Sequence, residues 1–372
     1  MDSFSAVDPA QPNFSDALFQ SVEKLRRPPA RVREQHITLA QGSGGKAMAD
    51  LIEDVFVRQF DNPILAELED QATFNLADLM QWGDRLAFTT DSFVVDPLFF
   101  PGSNIGELAV NGTVNDLAMG GAVPLYLSCG FILEEGLPID HLRRIVSSMK
   151  EAADQAGVKI VTGDTKVVQR GSADKLFINT AGIGMIRPGV RTSARSLQPG
   201  DAILINGDLG DHGTAILIAR GELALETGIE SDCQPLHGLV EQMLAVCPEI
   251  HALRDATRGG LATVLNEFAL SSQVGIRLEE SELPIREEVQ GVCEILGLDP
   301  LYLANEGKLV AVVPRAKAER VLAAMRTHPA GHQSRMIGEV IADPVGMVIL
   351  QTRFGTARIV DMLVGDQLPR IC

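Results

Sequence analysis

The sequence predicts an α/β (α+β) protein built as two domains. Three observations lead there. Strand-like and helix-like runs alternate from Ile37 onward. The length, 372 residues, exceeds what one hydrophobic core usually serves. A break lies at Arg187 to Gly200, where Pro188 and Pro199 cluster between two halves of similar size. Hydrophobic residues make up 45% of the chain and charged residues 22%, enough to fill real cores.

The elements follow in order. Residues 1–35 mix Pro, Ser and Asp with Arg26, Arg27, Arg31 and Arg33, and Pro28-Pro29 blocks a helix. They read as a loosely ordered extension before a first domain at 36–190. Lys46 to Phe60 places Met48, Leu51, Ile52, Val55 and Phe56 on one helical face. Arg85 to Thr90 reads as a strand ending at Asp91, Ile105 to Met119 as an apolar helix, and Leu125 to Leu133 as a strand. Ile139 to Ala156 has amphipathic helical spacing. Lys159 to Thr162 reads as a strand ending at Gly163-Asp164-Thr165-Lys166, and Leu176 to Ile186 as another. The second domain, 191–360, opens with the strand Ala202 to Asn206. Helices follow at Leu236 to Ala245, Gly260 to Ser271 and Lys317 to Thr327, with strands at Lys308 to Val313, Arg335 to Val340 and Gly346 to Leu350. Residues 361–372 read as a mobile tail. Twelve residues from Asp361 to the end reach roughly 40 Å when extended.

Composition excludes several functions. A net charge of −17 repels phosphate backbones, so nucleic acid is not an expected partner. The five cysteines are odd in number and none forms a C-x-x-C pair, which fits a reducing compartment. No apolar run approaches a membrane span, and residues 1–20 lack a signal-peptide core. The expected location is the cytoplasm.

Six features carry candidate chemistry. Gly42-Ser43-Gly44-Gly45 before a helix offers backbone N–H groups to a phosphate, or is simply a turn. It is neither a Walker A loop nor a Rossmann fingerprint. Asp70, Asp91, Asp116, Asp164 and Asp255 stand beside strand ends or in apolar surroundings. Asp116 is the most telling, because its helix is otherwise apolar and a buried carboxylate needs a partner such as Mg²⁺. Taken singly, each aspartate reads more readily as a cap or turn residue. Lys166, flanked by Val161, Val167 and Val168, reads as partly buried or as a surface lysine. Glu306 in Asn305-Glu306-Gly307-Lys308 suits a general base or a turn. His212 reads as a helix-cap residue rather than a catalyst. The last residue, Cys372, is a thiol on the most mobile point of a backbone, either a carrier of a loaded group or an ordinary chain end.

Taken together, the segments AQGSGGKAM, LAFTTDSFVVDPLFFPG, NGTVNDLAMGGAVPLYLSCGFILEEGLP, VTGDTKVVQRG, DKLFINTAG, GDLGDHG, LRDATRGGL, ANEGKLV and the closing LPRIC span residues 36 to 372. In order and content they resemble the HypE family of hydrogenase maturation factors. That family belongs to the superfamily of aminoimidazole ribonucleotide synthetase and selenophosphate synthetase. The resemblance implies two α/β domains, with N-terminal domains pairing in a homodimer and ATP near that interface. It also implies ATP-dependent dehydration of an S-carbamoyl group on Cys372 to S-cyanide, a source of cyanide ligands for the iron of [NiFe] hydrogenase. HypF would be the carbamoyl donor and a HypC–HypD complex the acceptor. By resemblance Lys166 and Glu306 belong to the dehydration site, and Asp70, Asp91, Asp116 and Asp255 to Mg²⁺. Gly42, Ser43, Gly44, Gly45, Asp91, Asn115, Asp116 and Asp164 belong to the nucleotide. A selenophosphate synthetase would carry a reactive cysteine near the glycine loop, and residues 36–60 contain none. A non-catalytic adaptor would not need the acidic set or Lys166.

Overall fold

The computed structural model describes residues 31–221, 228–362 and 370–371. Two sheets organise it. The first has four strands: β1 (Arg85–Phe93), β2 (Ala122–Glu134), β3 (Lys159–Val168) and β4 (Leu176–Ile186), in the spatial order β1-β4-β2-β3. The β2–β3 pair is parallel and the other two pairs are antiparallel. Helices α1 (Ile105–Met119) and α2 (Ile139–Ala156) cover one face. Leu142, Ile145, Val146 and Met149 of α2 are fully buried. Trimming one such side chain to alanine costs about 2–5 kcal/mol.

The second sheet has seven strands: β5 (Ala202–Ile205), β6 (Ala252–Asp255), β7 (Gly275–Glu279), β8 (Leu309–Val313), β9 (Arg335–Ile341), β10 (Val348–Gln351) and β11 (Ala357–Ile359). Their spatial order is β11-β10-β7-β9-β5-β8-β6. Both of its faces are covered, so β5 and β8 are buried at every residue. The short strands β7 and β11, and the helix Glu287–Leu296, escape the sequence reading because each offers few residues for a period to show.

Two strands run past their expected ends. β1 continues through Asp91 to Phe93, and β3 continues through Asp164 and Lys166 to Val168. Neighbouring strands supply ladder partners beyond the apolar core residues, pairing Asp91 with Thr180 and Lys166 with Ile132. The helical run from Lys46 is interrupted by a π-turn at Ile52–Val57 before Arg58–Phe60. Packing also begins before His36. Val32 is buried with its N–H donating to Asp54 Oδ2 at 2.8 Å, and Gln35 O accepts from Ile139 N at 3.0 Å.

Candidate active site

The first concentration of chemistry lies where α1 crosses β1 and the second domain. Thr89, Asp91 and Phe93 alternate onto the α1 face of β1. Gly112 of α1 permits this approach, since a Cβ there would come within 2.8 Å of the Phe93 ring. Thr89 Oγ1 donates to Asp116 Oδ2 at 2.8 Å. Asp255 closes the group from the end of β6. Loss of water raises all three carboxyls: Asp91 rises, Asp116 rises further through the charge of Asp91, and Asp255 is pushed up to about 7 with help from the charges of Asp116 and Asp91. Arg254 and Arg258 pull the other way but do not restore ordinary acidity.

Glu306 stands beside this triad and is only 3% exposed. Its Oε1 is buried with no hydrogen-bond partner among the described residues. Burial, then the charges of Asp232, Asp255 and Asp91, holds its carboxyl well above the ordinary range. The backbone around it is held firmly. Asn305 donates to Ala256 O and Leu303 O and accepts from Gly210 N, while Asn115 Nδ2 donates to Glu306 O at 3.3 Å. Asp232 accepts from the N–H groups of Glu306 and Gly307 and from Lys308 Nζ at 2.9 Å. Burial alone would raise Asp232, but Lys308 and the Glu306 amide keep it below the ordinary value. The sequence reading missed Asp232, because a lone aspartate in Ser231-Asp232-Cys233 has no periodicity to mark it.

A second concentration lies at the opposite edge of the first sheet. A cavity of about 500 Å³ opens there. Phe56, Phe60, Leu65 and Phe131 give it apolar walls, and Asp70 and Asp164 stand on its lining. Gly42 abuts Val167 of β3 so closely that a Cβ would meet it at 2.7 Å, which places the glycine loop beside this strand. Asp70, Asp164 and Lys166 are exposed. Lys166 Nζ donates to both Asp164 oxygens, at 2.8 and 2.6 Å, and this bond holds the Asp164 carboxyl below its ordinary value. Of the two readings of Lys166, partly buried or at the surface, the structure shows the surface one: with the strand extended, its side chain alternates onto the outer face.

The chain thus divides the expected site residues into two groups. Asp91, Asn115, Asp116, Asp255 and Glu306 share one edge. Gly42 to Gly45, Asp70, Asp164 and Lys166 share the other. Two strands lie between β1 and β3, a span of roughly 14 Å at ordinary strand spacing. Among the described residues, no three His, Cys, Asp or Glu side chains close on a common metal position. The donor chemistry of Asp91, Asp116 and Asp255 nevertheless fits Mg²⁺, which takes one or two carboxylates and completes its shell with phosphate and water.

Cys372 lies outside the described residues, but its neighbour does not. Ile371 is 4% exposed within the first domain's core and bridges Val95. The ring of His212, fully buried, binds Ile371 O through Nε2 and Ser231 Oγ through Nδ1, both at 2.8 Å.

Residues 69–186 match the N-terminal domain of AIR synthase related proteins, and residues 198–351 match the corresponding C-terminal domain. The fold is that of this superfamily. More closely, the chain is 57% identical over 341 residues to "Carbamoyl dehydratase HypE" of Rhodobacter capsulatus, covering 92% of this chain and 99% of that one. A crystal structure of HypE in complex with ATP superposes with a TM-score of 0.85 at 51% identity, covering 90% of this chain and 99% of that one. HypE from a crystallised HypE–HypF complex gives 0.73 at 50% identity, covering 84% and 99%. The chain belongs to the HypE family of hydrogenase maturation proteins. No helix among the described residues is long and apolar enough to cross a membrane.

Proposed function

We propose that this protein is a cytoplasmic ATP-dependent carbamoyl dehydratase that works on its own terminal thiol. The S-carbamoyl group on Cys372 becomes S-cyanide, and the carbamoyl oxygen leaves in inorganic phosphate. One observation carries the reading. Glu306 is a buried carboxyl whose Oε1 has no hydrogen-bond partner among the described residues, and it is set beside Asp91, Asp255 and Asp232.

The chemistry asks for those parts. An amide oxygen leaves poorly until phosphorylated by ATP, and the amide nitrogen must then lose both protons to form the nitrile. The first nitrogen proton passes to water as the oxygen is phosphorylated, and Glu306, ionised, takes the second as phosphate leaves; the desolvation that raises its pKa makes it a stronger base. One or two of the carboxylates Asp91, Asp116 and Asp255 would hold each Mg²⁺, which would supply charge neutralisation at the triphosphate when bound. The glycine loop, Asp70 and Asp164 would meet the nucleotide at the other edge, and Lys166 would offer its ammonium to the phosphate being transferred.

A homodimer reconciles the two edges. The outer face of the first sheet exposes Leu86 at 59%, Phe88 at 69% and Ile132 at 41%. Such a face favours a second copy, and pairing would lay the β3 edge of one subunit on the β1 edge of the other. Each site would then combine Glu306 of one copy with Lys166 of its partner. HypF, named in a relative's complex, fits as carbamoyl donor. A HypC–HypD complex is the proposed acceptor of cyanide. The test is mass spectrometry of the tail peptide. Carbamoylated protein with Mg-ATP should lose the mass of one water there, and no loss would refute the reading.

A further inference from the structure

The turn that carries Glu306 is gripped by side chains from both domains, while its carboxyl Oε1 has no partner among the described residues. The grip comes from α1, from residues 232–234 and from the residue after β5. Asp232 accepts from Glu306 N at 3.0 Å and from Gly307 N at 3.2 Å. Glu306 O accepts from Asn115 Nδ2 at 3.3 Å. Gly307 O accepts from Asn206 Nδ2 at 3.0 Å and from Gln234 Nε2 at 3.1 Å. Leu309 N, where β8 begins, donates to Asn206 Oδ1 at 2.8 Å. So close an approach requires glycine at 307, because a Cβ there would lie 1.9 Å from Asp232 O.

Asn115 is 1% exposed and serves this junction with its whole amide. Nδ2 also donates to Gln234 O at 3.1 Å, which uses its second hydrogen, and Oδ1 accepts from Leu236 N at 2.7 Å. Asp232 is paired with Lys308 at 2.9 Å, their side chains 3% and 7% exposed. A buried ion pair seldom stabilises a fold more than an apolar pair of the same size, because both charges lose their water. Stability alone therefore does not account for a pair at this place.

We propose that Asp232 and Asn115 are positioning residues for dehydration, which fix the Glu306 backbone across the domain junction and leave its carboxyl free for the substrate nitrogen. Asp232 acts through two peptide N–H groups and Asn115 through one carbonyl. Lys308 holds the Asp232 carboxylate in place. Asn115 thus acts through Glu306 and not as a ligand of the nucleotide. The positioning role rests on reading Glu306 as the base, whereas the grip itself does not.

Two measurements separate these. Hydrogen exchange of the full-length protein, read by mass spectrometry, reports the grip without any activity. Asp232→Ala with Lys308→Met removes the acceptor and leaves no buried charge unpaired. Exchange at the Glu306 and Gly307 amides should then rise about tenfold or more, with exchange in α2 unchanged. Asp232→Asn with Lys308→Met, which keeps one acceptor oxygen, should fall between that variant and the parent. Parent-like exchange in both variants, or a rise shared by α2, would overturn the grip. For positioning, the carbamoylated Ala/Met variant with Mg-ATP should dehydrate about tenfold slower or worse at unchanged ATP affinity. In a Glu306→Gln background the same change should slow the residual reaction no further, because Asp232 acts only through that carboxyl. Equal slowing in both backgrounds, or ATP affinity lost along with rate, would overturn the role of Asp232. Asn115→Ala should likewise slow the reaction and keep ATP affinity, and lost affinity would overturn its part. If the parent itself failed to dehydrate, the base reading would fall and the exchange result would still decide the grip.

Discussion

The two edges of the first sheet carry the same kinds of residue in opposite physical states. At the β1 edge, Asp91, Asp116, Asp255 and Glu306 crowd together, lose water and rise in pKa. At the β3 edge, Asp164 and Lys166 stand in solvent and satisfy one another. The same residue types are thus poised for chemistry on one side and quiescent on the other. Burial decides which, because only desolvation makes an unpaired charge costly. The β1 edge therefore holds unbalanced negative charge, and the β3 edge gains importance once something covers it.

The largest expected effect breaks the reactive edge. Glu306→Gln should slow dehydration by about 10²- to 10⁴-fold while leaving ATP binding intact, as read by tail mass loss and calorimetry. Lys166→Ala should also slow dehydration, roughly 10²-fold, with ATP affinity largely kept. Abolished nucleotide binding would contradict the role given to this lysine.

The next test is of charge. With Asp255 near 7 in the fold against an ordinary 3.8, the folded state binds the extra proton between those values. Stability of the metal-free protein should fall as pH rises from about 4 to 7. Asp255→Asn should flatten that slope in thermal melts, and Mg²⁺ affinity should weaken as pH drops through 7. An unchanged slope would mean Asp255 ionises normally.

The smallest effect concerns the N-terminus. Removing residues 1–30 should leave activity and melting temperature unchanged. Removing residues 1–35 should lower stability, because Val32 and the Gln35 carbonyl are lost from the body.

Much of this was legible in the sequence. The spans of α2 and β4 follow from apolar period, because each buries one face, and that of α1 follows from an apolar run buried nearly all round. Asp116 stood out as a carboxylate in an apolar helix, and desolvation now raises it. Other features required three dimensions. The valines around Lys166 left its burial undecided, and only strand alternation shows that it turns outward. Asp232 gains its role only from partners far away in sequence, at Glu306 to Lys308. The separation of Lys166 from Glu306 comes from strand order, which no local pattern encodes.

Mixed dimers test the central claim most directly. Lys166→Ala and Glu306→Gln chains, carrying different tags, are co-expressed and the mixed dimer is purified through both. If each site takes Glu306 from one copy and Lys166 from the other, every mixed dimer keeps one intact site and tail dehydration returns. Activity no higher than that of either variant alone, or failure of the two chains to pair, would contradict a site built from opposite edges of two sheets.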